Sequence, residues 1–318
     1  MEVRKLLGFL EILSKSIKIL SKNGRLMVVV TTVYLIIYSL FFVLNLSSIK
    51  PIITDLFTKG VLLPSLDPQG LLFAQSLVTI LKDVKTLVGV EIAFLLTLFV
   101  ISLFAQNAII LVTGASYNDK KISNKDFISK VPRALTRLFI TSFHVTLLRV
   151  GFLYFGLITL MVPTIMVSEY KIVYKMILWV LVILVVTLYL YFSVVWVLSL
   201  VVSVLEECSG IEALGKAGRL VKGKKLEGLF LNILTNLLAY PFLHVLSKFT
   251  LVSQSELTQA LFQFFVISCI CLLITFEFQA YTVLYFECKK NNGEEIELQG
   301  NVEYSKIPST AIVPDHIP

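Results

Sequence analysis

Six long apolar runs constrain this chain more than anything else in it. They cover about Leu26–Leu46, Val88–Thr113, Leu138–Pro163, Met176–Leu205, Leu229–Thr250 and Thr258–Cys288. Each reaches the ~20 residues needed to cross a hydrocarbon layer. A backbone at that depth has no water to bond to, so each run must satisfy its own amides as a helix. The expected fold is all-α: a polytopic membrane bundle of six transmembrane helices with cytoplasmic amphipathic helices. Charged residues make up 15% of the chain, against ~25% in soluble domains.

Three parts follow from this layout. Residues 1–25 form an N-terminal amphipathic segment, 26–288 the six-span domain, and 289–318 a polar tail with three late prolines, expected to be disordered. Residues 47–87 read as the longest connection, broken by Pro51, Gly60, Pro64, Pro68 and Gly70, with Asp67-Pro68 starting a short helix. Pro241 predicts a kink in the fifth span. The sequon at Asn45 sits at a span end, where no glycan is expected.

Basic residues are distributed unevenly between the two sides. Segments 1–25, 114–137, 206–228 and 289–318 hold 20 of the 28 lysines and arginines. The positive-inside rule then puts both termini in the cytoplasm, and the even number of spans agrees. The net charge of +7 flanks spans rather than forming one stripe with aromatics, which argues against nucleic acid. The expected partners are the bilayer and its anionic headgroups, in an endomembrane or the plasma membrane.

The segment from Glu206 to Gly228 is the clearest of the basic connectors. Ser209 and Glu212 have capping-box spacing. Ile211, Leu214, Ala217, Gly218 and Val221 recur at helical period, and Gly223 is placed to end the helix in a left-handed turn. Lys216, Arg219 and Lys222, followed by Lys224 and Lys225, predict an interfacial basic helix lying among anionic headgroups. The pattern Ala213-Leu214, Lys216, Leu220, Lys222-Gly223-Lys224 resembles a loop motif of a plant-specific family of uncharacterised six-span transmembrane proteins. More remotely it is similar to the membrane domain of glycerophosphodiester phosphodiesterases. That family carries serine where this chain has Ala217. The resemblance implies an all-helical bundle and no activity.

Inside the spans, Arg149 stands out. A lone cation at the bilayer centre costs ~3 kcal/mol on insertion scales, so it should face the bundle. Glu277 lies at a similar depth, ~16 Å from the cytoplasmic end by helical rise. An intramembrane Arg149–Glu277 charge pair is expected, either fixing the register of two spans or forming a polar site for a proton, ion or headgroup. Gln106, Asn107, Asn232, Asn236 and Gln279 are expected to bond between helices. His144 reads as a satisfied core histidine.

No reactive constellation is visible. His144, His244 and His316 are scattered, without ligands at metal spacing. No histidine precedes an arginine and no Glu-x-Asp occurs, so the phosphodiesterase motifs are missing. Cys208 and Cys288 sit at span ends, where acylation is conceivable, but ordinary membrane-edge cysteines are the simpler reading. No catalytic residue, metal or cofactor is expected. The function expected is a non-enzymatic membrane scaffold or organiser; the alternative is a transporter or lipid-handling protein.

Overall fold

The computed structural model describes residues 2–22, 24–65, 67, 69–118, 124–166, 171–249 and 255–293. The tail beyond residue 293 lies outside them, as do Lys120 and Lys121 of the second basic connector. Among the described residues there are eight α-helices and no strand: α1 Glu2–Lys22, α2 Gly24–Leu62, α3 Leu71–Tyr117, α4 Asn124–Met166, α5 Lys171–Leu205, α6 Gly210–Leu220, α7 Lys225–Phe249 and α8 Glu256–Asn291. All but α1 and α6 are long and apolar enough to cross a membrane. Apolar side chains such as Val29, Leu95, Phe155, Trp179 and Leu237 point outward, as lipid-facing residues should.

The core sits toward one end of the bundle. Every residue from Phe278 to Lys289 on α8 is buried, with α1, α2, α3, α5 and α7 packed around that helix. Ile109, Ile110, Leu198, Val201, Ala213, Ala217, Leu231 and Leu284 fill the space between them. This is also where the basic segments meet, and it is called the basic end below. The six-span expectation holds.

The long connection is different from its sequence reading. No loop occupies 47–62: α2 continues through Pro51 to Leu62. Only a 3-10 turn at Leu63–Ser65 and a few residues separate it from α3. A proline removes one backbone donor from a helix, but periodic apolar packing of α2 along α3 outweighs that loss. Asp67 does not start a helix. Its side chain accepts from Gln69 N–H at 3.1 Å and its carbonyl from Gly70 N–H at 2.9 Å, while α3 begins at Leu71. Pro241 likewise sits inside an unbroken α7. Asn45 is buried and donates to Glu91 at 3.0 Å, which leaves its amide no room for a sugar.

Candidate functional site

Two carboxylates organise the basic end. Glu287, in the last turns of α8, has a side chain only 10% exposed. It accepts from Lys15 of α1 at 2.5 Å, from Tyr117 of α3 at 3.2 Å and from Lys224 just before α7 at 3.4 Å. Lys15 also pairs with Glu11 at 2.8 Å. Glu206, just past α5, pairs with Lys216 of α6 at 2.5 Å and Lys289 of α8 at 3.6 Å, and accepts from the Tyr285 hydroxyl at 2.5 Å. Two anions therefore tie six helices together at one level. Burial works against the Lys15 charge, but the Glu11 and Glu287 carboxylates outweigh it and hold the ammonium above the ordinary lysine range.

The connector forms the helix α6 that its sequence pattern predicts, but both ends of that helix are built differently. Ser209 occupies the N-cap position but its hydroxyl makes no capping bond, so there is no capping box. Gly210 adopts φ +59°, a left-handed geometry that glycine enters freely. The turn aims its N–H at Thr141 Oγ1 of α4, 2.8 Å away. A Cβ on Gly210 would only touch His144 and Ile140, at 3.4 Å, so the left-handed φ and not crowding calls for glycine. α6 then buries Gly210, Ala213, Ala217 and Leu220 against α5 and α4, and small residues let those helices approach. Ile211, assigned to the apolar stripe, is instead 73% exposed. Ala217 is fully buried.

The basic residues of this connector divide into two sets. Lys216 and Lys224 turn inward onto Glu206 and Glu287. Lys225 lies over the Tyr191 ring at 5.2 Å, a cation–π placement, with its residue still exposed. Arg219 and Lys222 are exposed. Gly223 does not end the helix in a left-handed turn; it closes a 3-10 turn at Val221–Gly223. A Cβ there would displace the tip of the exposed Asn291 side chain.

Within the membrane, Arg149 and Glu277 are not brought into contact. Among the described residues no ion pair joins them. The Arg149 guanidinium lies 5.9 Å from the centroid of the Trp196 ring on α5, and the residue is exposed rather than turned into the bundle. Cation–π attraction and a long, snorkelling stem explain how it is accommodated. Glu277 opens on a small cavity of about 90 Å³ with Thr235, Asn236, Ala239, Ile270, Leu273 and Ile274.

The polar span residues divide as well. Asn232 donates to Ser193 of α5 at 2.7 Å and approaches Tyr281 of α8 at 3.5 Å. Asn107 donates to the Val131 carbonyl of α4 at 2.8 Å. These are bonds between helices, as expected. Gln106 and Asn236 bond within their own helices, and the Gln279 amide nitrogen is buried without a partner among the described residues. His144 Nδ1 lies 2.8 Å from the Ile140 carbonyl, which can only accept, so Nδ1 carries the proton. Cys208 and Cys288 are buried. Burial, then the nearby Glu206 and Glu212, pushes the Cys208 thiol up, which disfavours the thiolate that acylation needs.

Sequence reasoning passed over Glu206 and Glu287. The available signal was an acid at each of two span ends otherwise crowded with lysines. Among the described residues, no group of three or more histidine, cysteine, aspartate or glutamate side chains is placed to hold a metal. A family model described as a domain of unknown function, DUF8558, matches residues 1–303. No curated protein and no solved structure matches the chain.

Proposed function

We propose, for a chain that belongs to the DUF8558 family, a non-enzymatic role as a multi-pass membrane organiser whose basic end grips anionic headgroups. One observation carries this reading. Lys15, Lys216, Lys224 and Lys289 are turned inward onto Glu206 and Glu287, and the packed plate they form leaves a second set of cations outside. Arg25, Arg133, Arg219, Lys222 and Lys225 are exposed around it. A cation beside an anionic surface gains ~1 kcal/mol, so a fixed ring of them selects lipid without any reactive group. The excess of basic residues at this end supports a cytoplasmic placement for it and for both termini.

The test uses the full-length protein in nanodiscs that contain phosphatidylcholine with a minor fraction of phosphatidylserine, with retained lipid counted by native mass spectrometry. Phosphatidylserine is expected to be enriched over its bulk fraction. The triple variant Arg219→Gln, Lys222→Gln, Lys225→Gln should lose most of that enrichment, as should the wild type at 1 M salt. Retention of phosphatidylserine by the wild type at no more than its bulk fraction would rule this reading out.

A second reading, transport, is favoured by the Glu277 cavity alone. Intramembrane carboxylates often mark proton or ion paths. In proteoliposomes, a proton or sodium flux abolished by Glu277→Gln would establish it. Flux indistinguishable from empty vesicles would leave the organiser reading in place.

A further inference from the structure

At the end of the bundle opposite the basic end, α2 and the start of α8 enclose a groove of about 600 Å³. Its size is that of a small-molecule site. Lys50, Ser47, Thr54, Asp55, Glu256 and Gln263 bring polar atoms to its wall, and Leu46, Pro51 and Ala260 supply apolar surface. Its depth is set by helix length. Lys50 lies 24 residues beyond Leu26, ~36 Å along α2, and Gln263 lies 25 residues before Cys288, ~37 Å along α8. The hydrocarbon layer is ~30 Å thick. The groove therefore opens in the headgroup layer of the leaflet away from the basic end.

The charges in it are left over from the fold. Lys50 donates to the neutral Gln259 amide at 3.1 Å, but among the described residues neither Lys50 nor Glu256 has an ion-pair partner. The two face one cavity and do not pair with each other. Asp55 shares Lys59 with Asp83, at 2.6 and 2.7 Å, so one negative charge of that trio is also uncompensated. Gln263 is the deepest polar group. It is 5% exposed, and no hydrogen-bond partner for its amide exists among the described residues. The amide atoms are not closed off from the groove, so a ligand or water there can complete their hydrogen bonds.

We infer that this groove binds a zwitterion carrying a phosphate and an ammonium, the chemistry of a phosphoethanolamine headgroup. The phosphate lies toward Lys50 and the Ser47 hydroxyl. The ammonium lies toward Glu256, with Asp55 and the Thr54 oxygen as further acceptors. Thr54 donates its own hydroxyl proton to the Lys50 carbonyl at 2.9 Å, so its oxygen is free only to accept. Gln263 bonds the ligand from below. This inference needs the chain to span a membrane but does not depend on what the basic end binds.

The experiment is calorimetric titration of the full-length protein in detergent with three probes. These are dihexanoyl phosphatidylethanolamine, dihexanoyl phosphatidylglycerol and free phosphoethanolamine. Dihexanoyl phosphatidylethanolamine is expected to bind at least about tenfold tighter than the glycerol lipid, which lacks the ammonium. Lys50→Gln and Glu256→Gln should each weaken it by about tenfold or more, since each removes a charged hydrogen-bonding partner. Gln263→Leu separates binding from folding: it should leave thermal stability unchanged or higher and still weaken binding. If free phosphoethanolamine binds as well as the lipid, the natural ligand is soluble; if only the lipid binds, it is drawn from the bilayer. Both outcomes support the zwitterion site. Absence of binding by either ethanolamine probe, equal affinity for the glycerol lipid, or affinity untouched by the Lys50 and Glu256 variants overturns it.

Discussion

Glu287→Ala is expected to destabilise the protein by about 3 kcal/mol, read as a fall in unfolding midpoint in detergent. The change leaves Lys224 without its anion and Lys15 with Glu11 alone, at a site where the glutamate side chain was 10% exposed. It also leaves the Tyr117 hydroxyl without its acceptor. The figure is at the low end for breaking a buried pair because the Lys15 side chain is 35% exposed and water can reach it. Lys59 provides the contrast. Its pair with Asp55, whose side chain is 54% exposed, is a surface contact, and Asp55→Asn should leave the unfolding midpoint close to that of the wild type. If the two variants were equally mild, the hub would be ornamental. The pH dependence has a definite sign. The Lys15 ammonium is held above its ordinary range, so its contribution is fully present below the unfolded value of ~10.4. It is lost as pH rises through the folded value. The stability gap between wild type and Lys15→Met should therefore be flat from neutral to about pH 10 and shrink only in stronger base.

Gly228→Ala should cost about 2 kcal/mol, although alanine is the better helix former. Its Cβ would sit 2.7 Å from Val194 Cγ1 and 3.4 Å from Leu284 Cδ2. Both neighbours are buried in the core and have nowhere to go. Val194→Ala in the same chain removes the clash, and the double variant should recover more stability than the sum of the single effects allows. Gly89→Ala, where nothing lies within 4 Å, should be neutral or slightly stabilising. A Gly228 variant as stable as the Gly89 one would mean that α7 does not approach α5 and α8 this closely.

The sequence made the spans legible because hydrocarbon forces each apolar run to be a helix, whatever its neighbours do. It also showed where cations concentrate. It could not show which cations are used internally, because Lys15 meets Glu287 across 272 residues and Lys216 meets an acid from before its own helix. Local patterns misled where tertiary contacts override them. Ser209 and Glu212 have the spacing of a capping box, yet the turn is fixed by Gly210 reaching Thr141. Pro51 reads as a break, yet α2 runs through it against α3. The depth argument placed Arg149 and Glu277 at one level. Depth says nothing of direction around each helix, and Arg149 turns to Trp196.

The position of Glu287 has a consequence for how the chain is made. A ribosome releases Lys15 first and its counter-charge 272 residues later, an interval of roughly 14–54 s at common elongation rates. Until then the earlier helices must be held in the bilayer with Lys15 and Lys224 still lacking Glu287. Only when α8 arrives with Tyr285, Glu287 and Lys289 can these helices close around their shared anions. α8 is thus the keystone, and the hub closes only after Glu287 has been translated.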